Sequence, residues 1–241
     1  MHNNTAIIIP ARLGSSRLKE KAIQMIGDKT MVEHTYHKGA ELGLKHLYVA
    51  TDSDKIANVI ERAGGKVIMT SEDCQSGTDR VYEAIKSIEN SQEIEYVVNL
   101  QGDLPLIDPS IIMSVILSLK NSDADIVTPV AKVGVDIAKD PNNVKAIIGV
   151  NDNALYFSRA MAPYGSNEYW YHIGIYGYKI EALKKFVELS PSVLEKIEKL
   201  EQLRALENDM KIKVCYADSI PVSVDTESDL EKVRKMYTAS L

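Results

Sequence analysis

Hydrophobic positions along the chain follow two alternating rhythms. Short runs rich in β-branched residues, Ala6–Ile9, Leu47–Ala50, Val67–Met69 and Tyr96–Leu100, read as strands. Between them apolar residues recur at helical intervals. Met31 to Leu42 has that spacing, as do Ile56, Val59, Ile60 and Ala63 before Gly64-Gly65, then Val81, Ala84, Ile85 and Ile88. Pro109 to Leu119 is a further helix, with proline at a tolerated first-turn position. Short, nearly continuous apolar strands are those buried on both faces. Their alternation with helices predicts a parallel sheet covered on both sides. Pro10 predicts the end of the first strand.

After about Asp125 the pattern changes. Ile126–Val130, Ala146–Val150, Leu155–Phe157 and Ile173–Tyr178 read as strands with few helices between them, some of them pairing antiparallel. A helix opens at Pro191, where Ser192 and Glu195 have capping-box spacing, and Ile197, Leu200, Leu203 and Leu206 continue it. Val214–Ala217 reads as a strand and Glu227–Met236 as a last helix. The expectation is an α/β fold: a Rossmann-like, mixed, mostly parallel sheet flanked by helices, with a smaller antiparallel region. No repeat or low-complexity tract divides the chain. A single domain over 1–241 is expected, with parts at about 1–124 and 125–208 and a C-terminal strand and helix, 209–241, returning to the core.

Composition narrows the function. The 241 residues can bury a core without disulfide or metal staples. The formal net charge of -6 argues against coating nucleic acid, so an anionic ligand must meet a local basic cluster. Cys74 and Cys215 are too few for a disulfide scaffold and suit a reducing compartment. With no membrane-length apolar run and no signal-like N-terminus, a cytoplasmic protein is expected.

A local basic cluster follows the first strand, in Pro10-Ala11-Arg12-Leu13-Gly14-Ser15-Ser16-Arg17-Leu18-Lys19-Glu20-Lys21. Loops at the carboxyl ends of parallel strands bind ligands. Here small residues leave backbone N–H groups open to phosphate, and four cations stand ready for it. The loop matches neither the Walker pattern nor G-x-G-x-x-G, which argues against P-loop kinases and classical dinucleotide dehydrogenases. Asp103, in Asn99-Leu-Gln-Gly-Asp103, ends another strand and can hold a hard cation such as magnesium. Asp225, in Val224-Asp-Thr226, is either a second such ligand or a helix cap. Gln75-Ser-Gly-Thr-Asp-Arg80 opens a helix, either reading a base or capping it.

These segments, with Val49-Ala-Thr-Asp52, Leu155-Tyr-Phe-Ser-Arg159-Ala, His172-Ile-Gly-Ile-Tyr-Gly-Tyr178 and Glu201-Gln-Leu-Arg204, stand in an order that resembles the 3-deoxy-manno-octulosonate cytidylyltransferase (CMP-Kdo synthetase) family from about Ala6 to Val233. That family has a nucleotidyltransferase fold and makes CMP-Kdo and pyrophosphate from CTP and Kdo, with magnesium, for lipopolysaccharide biosynthesis. The resemblance implies that Arg12, Arg17 and Lys21 hold the triphosphate and act in catalysis with Asp103. It implies that Asp103 and Asp225 bind Mg2+, and that Pro10, Ser15, Gln75, Ser76, Gly77, Arg80 and Gln101 complete the nucleotide site. Arg159, His172, Tyr176 and Gln202 would line the sugar-acid pocket, with Arg159 and His172 supplying a cation or strong donors for its carboxylate. The part at 1–124 would then bind nucleotide, and 125–208 would bind sugar and contribute to a homodimer. The chain departs from the family at Leu18-Lys19-Glu20-Lys21, where Leu-Pro-Gly-Lys is usual, so Lys19 shares the candidate role of Lys21. A cytidylyltransferase for 8-amino-Kdo or a nonulosonate, and a non-catalytic nucleotide-binding regulator, stay open as alternatives.

Overall fold

A computed structural model describes residues 4–15 and 17–239. They form two compact units, one running up to Ile112 and resuming at Pro221, the other Met113–Ile220.

In the first unit β1 (Thr5–Ala11) is followed by a single 3-10 turn (Lys21–Ile23) and a hairpin of two short strands, β2 (Met25–Ile26) and β3 (Lys29–Thr30). Then come α1 (Met31–Ala40), β4 (His46–Thr51), α2 (Asp54–Arg62), β5 (Val67–Met69), α3 (Gly77–Lys86), β6 (Tyr96–Asn99) and the start of α4 (Pro109–Lys120). The strand order is β5-β4-β1-β6, every pair parallel. Ile7, Ile8 and Ile9 are fully buried at its centre, as two-sided coverage requires. Capping boxes fix the starts of α1, by Thr30 with Glu33, and α3, by Ser76 with Asp79.

Pro10 does not end β1. The strand runs on to Ala11, paired with β4 through Pro10↔Ala50 and Ala11↔Thr51, while its pairing with β6 stops at Ile8↔Asn99. Proline is tolerated where one side of a strand no longer needs a donor.

The second unit contains β7 (Ile126–Gly134), α5 (Val135–Ala138), β8 (Lys145–Ile148), β9 (Ala154–Ser158), β10 (Glu168–His172), β11 (Tyr176–Lys179), α6 (Ile180–Glu188), α7 (Val193–Glu198), α8 (Leu203–Glu207) and β12 (Ile212–Ala217). Its strands are ordered β11-β7-β10-β8-β9 in antiparallel pairs, and β12 adds to β7 in parallel. Two expected elements are divided. The run Ile173–Tyr178 is a turn followed by β11, because the Ile175 N–H folds back to the Ile173 carbonyl at 2.7 Å. The helix from Ser192 breaks at Lys199, which adopts φ 55° and ψ 48°, so Ile197 is 71% exposed rather than on the buried face of Leu200 and Leu203.

From Pro221 the chain is back in the first unit, ending in α9 (Glu227–Ala239). Leu230 and Val233 of α9 bury against Leu18, Ile26 and Met31, with Val224 in the same cluster. Among the described residues, no helix is long and apolar enough to cross a membrane.

Candidate active site

The carboxyl ends of β1 and β6 and the segment entering α9 bring three distant stretches of the first unit together. The Val224 N–H donates to the Asp103 carbonyl at 3.0 Å, which ties the β6 loop to the chain just before α9. Gly102 lies close to β1: a Cβ there would sit 3.3 Å from the Pro10 carbonyl oxygen. The Lys21 ammonium donates to both Asp103 Oδ2, at 2.8 Å, and Asp225 Oδ1, at 3.0 Å. The Arg17 guanidinium reaches the same Asp225 oxygen at 3.1 Å. Two carboxylates and two cations therefore meet at one place. Burial draws the Lys21 pKa down, but the fields and hydrogen bonds of Asp103 and Asp225 outweigh it, so the net shift is upward and the ammonium stays charged.

Asp225 is not the cap of α9. Thr226 and Asp229 fill that role, since the Asp229 carboxylate accepts from the N–H groups of Asp225 and Thr226, and the Thr226 hydroxyl accepts from Asp229 N–H. The Asp225 side chain is left to the ion cluster.

Beside it lies a cleft of about 80 Å³, lined by Pro10, Ala11, Arg12, Cys74, Ser76, Gly77, Arg80 and Gln101. Gly77 keeps it open, since a Cβ would come 3.5 Å from Pro10 and 3.9 Å from the Gln101 amide oxygen. Arg12 is exposed and has no partner among the described residues. Ser15 accepts from Leu18 N–H at 3.3 Å and shapes the loop, while Ser16 lies outside the described residues. Gln101 donates to Asn99 at 3.1 Å. Gln75 is exposed and donates to the Asp73 carbonyl at 2.9 Å, and is absent from the cleft lining. The Ser76 hydroxyl caps α3, and the Arg80 guanidinium, also buried, pairs with Asp52 at 2.5 Å and Thr70 at 2.5 Å.

The second unit holds the other predicted residues. His172 is 7% exposed, and its ring packs edge-on against Phe157 at 4.9 Å and tilted against Tyr176 at 5.4 Å. Burial pushes its pKa down to about 3, so it is a neutral imidazole rather than a cation. Burial likewise drives the Tyr176 phenol well up, with Tyr178 and Glu201 adding to it. The Arg159 guanidinium donates to the carbonyls of Glu198 (2.8 Å), Pro141 (3.1 Å) and Lys199 (3.4 Å), which occupies three of its five N–H groups. The buried Gln202 Nε2 has no partner, an uncommon state for a buried amide.

The comparisons with known proteins agree with this geometry. The family model described as cytidylyltransferase matches residues 6–212. The 3-deoxy-manno-octulosonate cytidylyltransferase of Rickettsia massiliae (strain Mtu5) is 52% identical over 98% of this chain and 96% of its own. That of Rickettsia rickettsii (strain Sheila Smith) is 53% identical over 96% of each. The chain belongs to the cytidylyltransferase family. It is also similar to a solved structure of CMP:2-keto-3-deoxy-manno-octonic acid synthetase complexed with CTP, with a TM-score of 0.93 at 34% identity over 98% of this chain and 99% of that one. The fold is the nucleotidyltransferase fold of that neighbour.

For a cytidylyltransferase, three features of the cleft go beyond the residues singled out in the sequence. Asp52 holds Arg80 in place, and its only signal is its position after the strand in Val49-Ala-Thr-Asp52. Ala11 lines the cleft because β1 continues past Pro10. Cys74 also lines it, and its thiol donates to Glu83 at 3.2 Å. Burial and the Glu83 carboxylate push that thiol up to about 11, so it is protonated at neutral pH.

Proposed function

We propose that this protein transfers a cytidylyl group from CTP to 3-deoxy-D-manno-octulosonate, forming CMP-Kdo and pyrophosphate for lipopolysaccharide biosynthesis. The observation that carries the reading is the meeting of Arg17, Lys21, Asp103 and Asp225, from both ends of the chain, around one point. The relatives' shared name supplies the sugar acid, and the neighbour's bound CTP supports the nucleotide.

In this reading Arg12, Arg17 and Lys21 bind the triphosphate, Arg12 being a cation without a partner among the described residues. The cleft beside Gly77 takes the cytidine, between Pro10 and Gln101. The donor set fits Mg2+: the carboxylates of Asp103 and Asp225 converge on the Lys21 ammonium. That composition suits an ion that draws its other ligands from phosphate and water. When bound to Asp103 and Asp225, magnesium would offset charge on the triphosphate oxygens. The anomeric hydroxyl of the sugar acid attacks the α-phosphorus and gives up its proton to solvent, the bond to the oxygen bridging the α- and β-phosphorus breaks, and pyrophosphate leaves. Lys21 and the loop arginines stabilise the negative charge that grows on that leaving group. Phosphoryl-type transfer of this kind depends mainly on positioning and charge. In the second unit, the two remaining N–H groups of Arg159 and the unpartnered Gln202 amide are the donors suited to the sugar carboxylate. Tyr176 packs against His172 in that site. The exposed Leu155 on edge strand β9, with Val150 nearby, supports a homodimer formed through the second unit. The two free cysteines are in keeping with a cytoplasmic enzyme.

The test is pyrophosphate release with CTP, Kdo and Mg2+, run beside 8-amino-Kdo, a nonulosonate and the other nucleoside triphosphates. Turnover is expected to need CTP, Kdo and the metal together. No turnover with any 3-deoxy-octulosonate would refute the assignment. Asp103→Asn should lower kcat/KM by roughly 100-fold or more with an unchanged circular dichroism spectrum. A near-normal rate would remove Asp103 from the metal site.

A further inference from the structure

Thr128 of β7 is fully buried, and its hydroxyl oxygen lies near three groups: His172 Nε2 at 2.9 Å, the Ile175 carbonyl at 2.8 Å and the Ile173 carbonyl at 3.2 Å. A hydroxyl has one proton to give and lone pairs to receive. Both carbonyls can only accept, and the Ile173 oxygen is already served by the Ile175 N–H at 2.7 Å. If the hydroxyl gave its proton to His172, its lone pairs would face the Ile175 oxygen with no proton between, a costly arrangement in a buried site. The proton therefore goes to the Ile175 carbonyl. The Thr128 oxygen is then an acceptor for the third neighbour, so His172 must carry its proton on Nε2.

A neutral ring protonated at Nε2 presents a lone pair at Nδ1. Its neutrality follows from burial, which holds the pKa near 3. No described residue donates to Nδ1, and Phe157 and Tyr176 pack against the ring. A carboxylate brought to that lone pair would be repelled, whereas a hydroxyl would be held. We propose that Thr128 is a positioning residue that locks His172 in the Nε2–H tautomer, so that Nδ1 accepts a hydrogen bond from a hydroxyl of the sugar acid and leaves its carboxylate to other donors. This inference rests on the reading of the second unit as the sugar-acid site. It gives His172 a specificity role for the polyol part of the substrate, and it explains why a histidine without charge stands in a site for an acid.

Nitrogen NMR of protein labelled with 15N-histidine reads the tautomer directly, with His172→Ala assigning the signal. Wild type should show His172 protonated at Nε2 and unprotonated at Nδ1. Thr128→Val keeps the volume and removes the acceptor. It should mix the tautomers and raise KM for Kdo by roughly tenfold, while KM for CTP stays within about twofold. Thr128→Ser restores the hydroxyl and should return both readouts toward wild type. An Nδ1–H tautomer in wild type would overturn the proposal whether or not any variant folds. So would a Thr128→Val enzyme with unchanged KM for Kdo, in a protein where His172→Ala raises it. If His172→Ala itself leaves that KM unchanged, the sugar-site reading fails and the proposed ligand of Nδ1 fails with it.

Discussion

His172 and His46 are buried rings held below the ordinary imidazole pKa by loss of water. For His46 the cations of Lys45 and Lys66 push in the same direction, against Glu93. Neither ring nitrogen of His46 has a partner, so it also resides in the core uncharged. Such groups make stability depend on pH with a definite sign. Their unfolded pKa is near 6.5 and the folded value is lower, so the unfolded chain takes up protons first as pH falls. The stabilisation is complete above about pH 6.5 and is lost below it, with a slope approaching about 1.4 kcal/mol per pH unit for His172 until pH nears 3. Urea unfolding of wild type and His172→Gln at pH 7, 6 and 5 isolates this contribution, because His46 and the carboxylates titrate in both. The variant should be less stable at pH 7 yet lose stability more slowly on acidification, by about that slope. Parallel pH profiles would show that His172 is not held neutral. The same reasoning makes Arg80, a nucleotide contact by family resemblance, a structural cation as well: in a buried site its charge needs the Asp52 carboxylate as partner.

Between residues and elements, legibility followed how strongly a segment constrains its own pattern. The parallel strands β1, β4, β5 and β6 are readable to within about two residues: β1, β4 and β6 are covered on both faces and so nearly continuously apolar, while the edge strand β5 is marked off by Gly64-Gly65 before it and Thr70 after it. The hairpin of β2 and β3 was not readable, since two residues per strand show no period. α6 was missed because Lys179, which precedes it, makes no side-chain cap and no breaker separates it from β11. β10 was missed because its aromatic Tyr169-Trp170-Tyr171 mixes buried and half-buried rings with no clean alternation. The break between α7 and α8 is the instructive case. The apolar spacing from Ile197 to Leu206 is helical, but Lys199 stands in the left-handed region, where a side chain is strained and glycine is not. Its carbonyl accepts from Arg159 at 3.4 Å, so the break also helps to hold that guanidinium. Lys199→Gly keeps that carbonyl and relieves the strain. It should stabilise the protein by about 1 kcal/mol and raise Tm by roughly 2–4 °C, with KM for Kdo unchanged. A lower Tm in a calorimetric scan would show that the lysine side chain, and not the backbone bend, is what the position needs.

At the scale of the whole molecule, the candidate metal site exists only because the chain's last segment returns to its beginning. Arg234 of α9 donates to the Met25 carbonyl at 2.9 Å, and the Tyr237 hydroxyl donates to Asp28 at 2.9 Å. Gly27, at φ 63°, lies under the Tyr237 ring with no room for a Cβ. α9 is thereby fastened to the hairpin that follows Lys21, which sets Asp225 beside it. Among the features read from sequence alone, this closure was visible only through the family resemblance, because nothing local to Val224-Asp-Thr226 distinguishes a ligand from a cap. The closure has an electrostatic consequence. The Lys21 ammonium bridges the two carboxylates and Arg17 adds a second cation, so a divalent ion that binds there must displace charges already satisfied. On the proposed reading of the site, a triphosphate would offer those cations another partner and free Asp103 and Asp225. Metal and CTP should therefore bind with positive coupling, and by linkage each should strengthen the other equally. Lys21→Met removes the competing ammonium while keeping the length of the side chain. Titrations with Mn2+, followed by its paramagnetic signal, should show the variant binding metal about tenfold tighter than wild type in the absence of CTP, with the gain from adding CTP reduced, even as its turnover falls. If the variant binds Mn2+ no better than wild type when nucleotide is absent, the ammonium does not hold the metal's place, and the coupling must arise from the triphosphate's own ligands.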